Sequence, residues 1–344
     1  MPRLASGGWA LARRWGPPAV TLIMVALLLV YFQQTRLLDS IDLAHMQWGY
    51  VALLGLIRFG FLLALGLAMQ SYLATRQLRL DFTEWFGLTV AASLVNTLTP
   101  IGGGALVRGG YLKIRYRFPS ANFMAFLAFT SALNLLVNGV FGLILMIGIL
   151  PARPGPASWI LIAIFATLVV GPTLGLSLPL EKLRLPGGSR IVRWAHLALE
   201  GWREIRANPR LLLEQAAIAI AYTLTQMAGL HVGLLALGAQ PRLIDSLIIA
   251  IVISAWRVTP SVGFGVQEIV GALVASAIGV NPAAGMGSVF LTRIVTILYL
   301  STFGVAYTYM LSKRLGQPLA NAARAVTLVS ENDQAEPLSP PADV

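Results

Sequence analysis

Two prolines in this chain are each followed by a glycine cluster, and each leads to a charged residue eight positions on: Pro100 to Arg108, Pro260 to Glu268. The first break reads Thr99-Pro100-Ile101-Gly102-Gly103-Gly104, the second Thr259-Pro260-Ser261-Val262-Gly263-Phe264-Gly265. Both interrupt long apolar stretches, where a charged side chain costs at least about 2.5–3.5 kcal/mol and is usually there for function. A guanidinium presents a planar fork of donors suited to phosphate or carboxylate. Arg108, Arg257 and Arg293, together with Glu268, Asn96, Asn134, Asn138 and Gln267, are therefore candidates to line a polar pocket for an anionic group. The competing reading is an internal Arg108–Glu268 ion pair that only pins the two segments together, and the two roles are compatible.

Other chemistries find little material. The chain has no cysteine, which removes disulfides, thiol catalysis and thiolate metal sites. Its three histidines, His45, His196 and His231, are far apart and lack ligand spacing, so no metal is expected. No nucleotide-binding loop or other cofactor motif is present. The net charge of +11 raises the question of nucleic acid. Sorting the cations by membrane side explains them better, and no nucleic-acid partner is expected.

The elements that must position these residues are membrane helices. Of 344 residues 57% are hydrophobic and only 11% charged, against about a quarter charged in a soluble domain. Apolar runs long enough to span a bilayer, which takes roughly 20 residues, recur along the chain. Lys and Arg collect in short cytoplasmic loops, and this fixes a threading. Arg3, Arg13 and Arg14 put the N-terminus in the cytoplasm. Helix one (residues 18–32) exits, and helix two (48–75) returns to Arg76 and Arg79. Helix one lacks a small-residue cleavage site after Phe32 and reads as a retained anchor.

The stretch 83–112 is flanked by basic residues on both sides, Arg79 before it and Lys113 and Arg115 after it. Proline and glycine at its centre oppose a continuous helix. A re-entrant hairpin from the cytoplasm satisfies both constraints. Helices three (121–150) and four (158–178) follow, then a cytoplasmic segment, 181–210, with Lys182, Arg184, Arg190, Arg193, Arg203, Arg206 and Arg210. In that segment Ile191, Trp194, Ala198, Trp202 and Ile205 recur at helical spacing. This suits an amphipathic helix on anionic inner-leaflet lipids, or equally an ordinary basic loop that is helical. Helix five opens at Asn208-Pro209, a cap followed by proline at the first position. A second hairpin, 243–280, must turn back from outside if the last helix (283–311) is to end at cytoplasmic Lys313 and Arg314. Residues 316–344 read as a flexible cytoplasmic tail.

Most of the 25 Lys and Arg then lie on the cytoplasmic side, and Arg58, Arg108, Arg257 and Arg293 lie within the membrane. Arg58 and Glu214 read as side chains that snorkel to an interface. The expected fold is an all-α polytopic membrane protein. It has about six full spans and two oppositely oriented re-entrant helical hairpins in an inverted repeat, all within one domain over 1–315. Inverted repeats with broken helices meeting at mid-depth are a recurring transporter plan. The hairpin breaks are Pro100, Gly102, Gly103 and Gly104 in the first, and Pro260, Gly263 and Gly265 in the second. Irregular backbone at that depth survives only where protein or a wet cavity satisfies it.

With these motifs the sequence resembles the flippase-like integral membrane region of lysylphosphatidylglycerol synthases and their stand-alone relatives. The matching residues are Asn96-Thr97-Leu98-Thr99-Pro100, Arg108 and Tyr111-Leu112-Lys113 in one half. In the other they are Pro260 through Glu268, Gly279 and Arg293. Where the family often has an acid before its hairpin-one arginine, this chain has Ala105-Leu106-Val107. The family also often has an arginine in the next helix, near Thr130-Ser131, with an acidic partner whose nearest polar match here is Asn134. The resemblance implies movement of a lipid between leaflets, with Arg108, Glu268 and Arg293 at the pocket, in a bacterial cytoplasmic membrane with both termini inside.

The soluble aminoacyl-transfer domain of bifunctional relatives has no place after residue 315, so the chain is not expected to be an enzyme. Membrane lipid is the expected substrate and anionic lipid the expected surface partner; a homo-oligomer is left open. The alternatives are a membrane enzyme that modifies a lipid or polyprenyl carrier with Glu268 as base, and a secondary transporter of a soluble anion.

Overall fold

The computed structural model describes residues 46–98, 103–151, 154–177, 203, 205, 207–256, 266–319 and 321–322. The expected first helix, the amphipathic segment before residue 203 and most of the tail lie outside the described residues. Within them the chain is helical and without strands: α1 (Trp48–Thr75), α2 (Phe82–Leu98), α3 (Gly103–Tyr116), α4 (Ser120–Ile149), α5 (Pro156–Ser177), α6 (Pro209–Ala236), α7 (Leu243–Trp256), α8 (Val266–Ala277) and α9 (Pro282–Tyr299). A π-helical turn, Leu300–Gly304, then leads into α10 (Val305–Leu315).

Five rods are long and apolar enough to cross a bilayer: α1, α4, α5, α6 and the run from α9 through α10. Their exteriors carry Leu56, Ile147, Trp159, Ile160, Leu298 and Val305, all more than half exposed. Such a coat of large apolar side chains is what a lipid solvent calls for and what water penalises. The most apolar stretch of α5 is only 17% buried, so among the described elements α5 is a peripheral helix packed chiefly on α4.

Local chemistry sets the helix starts. Asn208 caps α6 by accepting from the Leu211 N–H at 3.1 Å, with Pro209 in the first position where its missing donor does no harm. Asn281 and Pro282 do the same for α9, with the Ala283 N–H at 2.9 Å.

The axis of the bundle is α1 against α6, running antiparallel. The Gln47 N–H meets the Ala236 carbonyl at 3.0 Å, Arg58 Nη1 donates to Gln226 Oε1 at 2.7 Å, and Gln215 Nε2 donates to the Ala68 carbonyl at 2.8 Å and Ser71 Oγ at 2.7 Å. Arg58 is 4% exposed, with its guanidinium also over the Phe61 ring at 5.5 Å. It therefore does not snorkel: Gln226 supplies an acceptor inside the bundle, which removes the drive to reach an interface. Glu214 is an exposed partner of Arg210 one turn away.

Around this axis α2 packs on α1 and on α10, and α7 packs on α6 and on α4. The start of the tail is docked: Leu319 and Ala322 are buried, and the Leu319 N–H donates to Ser312 Oγ at 3.0 Å.

Candidate functional site

The first expected hairpin consists of α2 and α3. Ala92 and Gly104, twelve positions apart and so about 18 Å apart in a continuous helix, are in contact: a Cβ on Gly104 would collide with the Ala92 carbonyl oxygen. The chain reverses between them. Gly103 and Gly104 are thus not part of the break but the helical opening of α3, where the missing side chain lets the two arms close. Asn96 completes this turn by accepting from the Gly104 N–H at 2.7 Å. Its carbonyl oxygen serves the hairpin backbone, not a pocket. Pro100 and Gly102 lie outside the described residues.

The open end of the hairpin is closed by a polar cluster. Glu84, in the first turn of α2 and 3% exposed, accepts from the phenols of Tyr111 and Tyr116, the latter at 2.6 Å. Arg115 Nε lies 2.8 Å from the same carboxylate and Arg314 Nη1, from the end of α10, lies 3.8 Å away. Asp81 accepts the Glu84 N–H at 2.7 Å and pairs with Arg314 at 3.0 Å. Arg115 Nη1 also donates to the Arg314 carbonyl at 2.9 Å. Burial, then the Glu84 hydrogen bond, pushes the Tyr116 phenol up to about 12, so it remains a donor at neutral pH. Sequence reasoning missed this cluster. Its signal was an acid, Glu84, within a stretch otherwise apolar, facing two tyrosines on the returning arm.

Register then places Arg108. Ala92 stands level with Gly104 and Glu84 with Tyr111, so Arg108 stands level with Leu88 in the middle of the hairpin. Positions 108, 111 and 115 follow the i, i+3, i+7 spacing of one helix face. That face runs from Arg108 to Tyr111 and Arg115, two of the residues that close on Glu84. Arg108 is 7% exposed and has no hydrogen bond or ion pair among the described residues.

The second expected hairpin is α7 with α8, and Gly271 of α8 lies against Ile253 of α7. Pro260, Gly263, Gly265 and Arg257 lie outside the described residues. Glu268 is fully buried in the first turn of α8, and Arg293 of α9 pairs with it at 2.9 Å. The Arg108–Glu268 pair is thus not what forms: the close packing of α8 on α9 brings a different cation to the carboxylate. Gln267 is buried beside Glu268. On α4, Asn138 Nδ2 donates to the Asn134 carbonyl at 2.8 Å, and neither Asn134 Oδ1 nor Asn138 Oδ1 has a partner among the described residues. No His, Asp or Glu grouping able to hold a metal occurs among the described residues.

Apolar rods, lipid-facing exteriors and ionised groups kept inside the bundle define a polytopic α-helical membrane protein. The chain belongs to the lysylphosphatidylglycerol synthase TM region family, whose model matches residues 17–304. No curated protein and no solved structure gives a significant match.

Proposed function

We propose that this protein moves a phospholipid, or another lipid with a polar headgroup, between the leaflets of a membrane, acting as a translocase and not as an enzyme. One observation carries the reading: Arg108 is a buried guanidinium without a partner among the described residues. Leaving such a charge unanswered in an apolar interior is costly, and a headgroup phosphate supplies the missing acceptors in the geometry a guanidinium prefers. Family membership, a TM region named for a lipid synthase, points to the same substrate class.

The two hairpins are read as re-entrant from opposite faces, within an inverted repeat of α1–α4 and α6–α10. Exchanged packing supports this: the first arm of hairpin one lies on the last rod of the second unit, and the first arm of hairpin two lies on α4, the last rod of the first. Both termini are placed in the cytoplasm of a bacterial cell, where anionic lipid faces the basic segment 181–210.

The test is a leaflet-resolved assay in proteoliposomes with labelled lipids of differing headgroup. Arg108→Ala is expected to slow transfer by about 10- to 100-fold, the loss that follows removal of a charged hydrogen bond of about 1.5–3 kcal/mol. Equal rates for wild type and variant would sink the reading. Flux of a soluble anion through vesicles free of candidate lipid, or a chemically altered lipid product, would replace it with one of the alternatives.

A further inference from the structure

The Arg108 face of α3 leads straight into the cluster of Asp81, Glu84, Tyr111, Arg115, Tyr116 and Arg314, and that cluster stands at the open end of the hairpin. Its bonds are made mainly by side chains, and they tie three separate segments: the start of α2, the end of α3 and the end of α10. Below it α3 packs mainly on α2, with slighter contact to α4 and α10. The last rod carries its π turn, Leu300–Gly304, beside α2, where Gly304 lies against Leu94. π turns interrupt the regular ladder, mark bends and recur at functional sites. Beyond the turn, α10 is a short arm whose tip bears Arg314. A polar seam at the tip and a bend point beneath it are the two parts a hinged closure needs.

The seam also has a chemical bias. Arg115 and Arg314, side chains 35% and 31% exposed, are held by carboxylates, and both are the kind of cation a phosphate engages with two parallel bonds. We propose that this cluster is a gate displaced by headgroups: an anionic phosphate from the adjoining leaflet takes Arg115 and Arg314 from Asp81 and Glu84, and the hairpin end opens toward Arg108. The inference rests on the translocase reading and adds to it a gate, its residues and the ligand that opens it. Linkage requires reciprocity: if phosphate favours the open state, weakening the clamp raises phosphate affinity by the same factor, typically about 5- to 150-fold.

Two experiments test it on the intact 344-residue chain, whose sequence contains no cysteine to remove. In the first, Asp81→Cys and Arg314→Cys are joined by a thiol crosslinker containing its own cleavable disulfide. Bridging is expected to slow lipid transfer at least about tenfold and cleavage to restore it. A bridged protein that transfers at its unbridged rate overturns the gate. A wild-type protein that transfers no lipid overturns the translocase reading instead.

The second does not depend on transport. Leu88→Cys, buried and level with Arg108, is alkylated by a membrane-impermeant reagent added from the side of the cluster. Labelling is expected to rise about tenfold in the Glu84→Gln background, and to be faster in phosphatidylglycerol vesicles than in phosphatidylcholine vesicles. Labelling indifferent to both changes overturns the gate. Equal acceleration by inorganic phosphate in phosphatidylcholine vesicles overturns the headgroup as the opener and assigns that role to a soluble anion.

Discussion

The two hairpins begin alike and are held in different ways. Each has an acid in the first turn of its first arm, Glu84 in α2 and Asp245 in α7, and both are buried. Glu84 reaches across to α3 and α10 through phenols and guanidinia. Asp245 pairs with Arg242 of its own first turn at 3.0 Å. What secures the second hairpin lies in its other arm. α8 crosses α9 so closely that a Cβ on Gly285 would stand 2.6 Å from the Ala275 Cβ and 2.8 Å from the Gly271 carbonyl oxygen. Small residues let membrane helices approach until dispersion and weak polar contacts hold them. The Glu268–Arg293 pair lies on the same seam. Packing of this kind is bistable only at high cost, because nothing can slide without a collision. A seam of polar side chains can exchange partners. On the gate proposed above, hairpin two is the fixed wall and hairpin one the moving one.

The largest effect that tests this contrast is on the buried pair. Breaking a buried ion pair by removing one partner costs up to about 3–5 kcal/mol. Glu268→Gln or Arg293→Gln should sharply lower the thermal midpoint of the detergent-purified protein, and the double Gln variant should recover part of the loss. If the double variant is as unstable as the sum of the singles, the pair is not what holds α8 to α9.

Next comes the crossing. Gly285→Val forces overpacking of about 1–3 kcal/mol, with no change of charge. A melt indistinguishable from wild type would remove the weld from the argument. Gly55 on α1, with open space around it, is the control: Gly55→Ala should be neutral or slightly stabilising.

How much of this was legible beforehand follows the same division. Helical periods, proline stops and the Lys/Arg distribution are local or one-dimensional signals. They placed α1, α4, α5, α6 and α9 within a few residues, including the Asn208 cap. The reversal at the first break was legible because basic residues flank it on both sides. Partner choice was not. Whether Glu268 meets Arg108 or Arg293 depends on how closely α8 and α9 approach, and that is set by Gly271 and Gly285, which are unremarkable as letters. Arg58 was misread because its acceptor, Gln226, lies on a helix far along the chain. The Glu84 cluster went unseen because it needs residues near 84, 115 and 314 together, and only the folded bundle makes them neighbours. The π turn has no sequence signature that periodicity detects, since Leu300–Gly304 continues the apolar run.

The smallest expected effects compare the two hairpin entrances directly. Tyr116→Phe deletes the hydrogen bond to a carboxylate that keeps its other partners, and with it a long one of 3.4 Å accepted from Arg115 Nε, so the loss should be near the low end for a charged hydrogen bond, about 1.5 kcal/mol. It should also speed labelling of Leu88→Cys by a factor of several, because the clamp is weakened but still bears Arg115 and Arg314. Arg242→Gln removes the corresponding cation at hairpin two, where the guanidinium is largely in solvent and its pairing is confined to one turn. The guanidinium is more than half exposed but the Asp245 carboxylate is buried, so the loss of stability in the melt should be no more than the low end for a charged hydrogen bond, and transport should not change measurably. The informative quantity is the difference between the two variants. If Arg242→Gln alters transport as much as Tyr116→Phe does, both entrances move, and the division into a wall and a gate gives way to a symmetric mechanism.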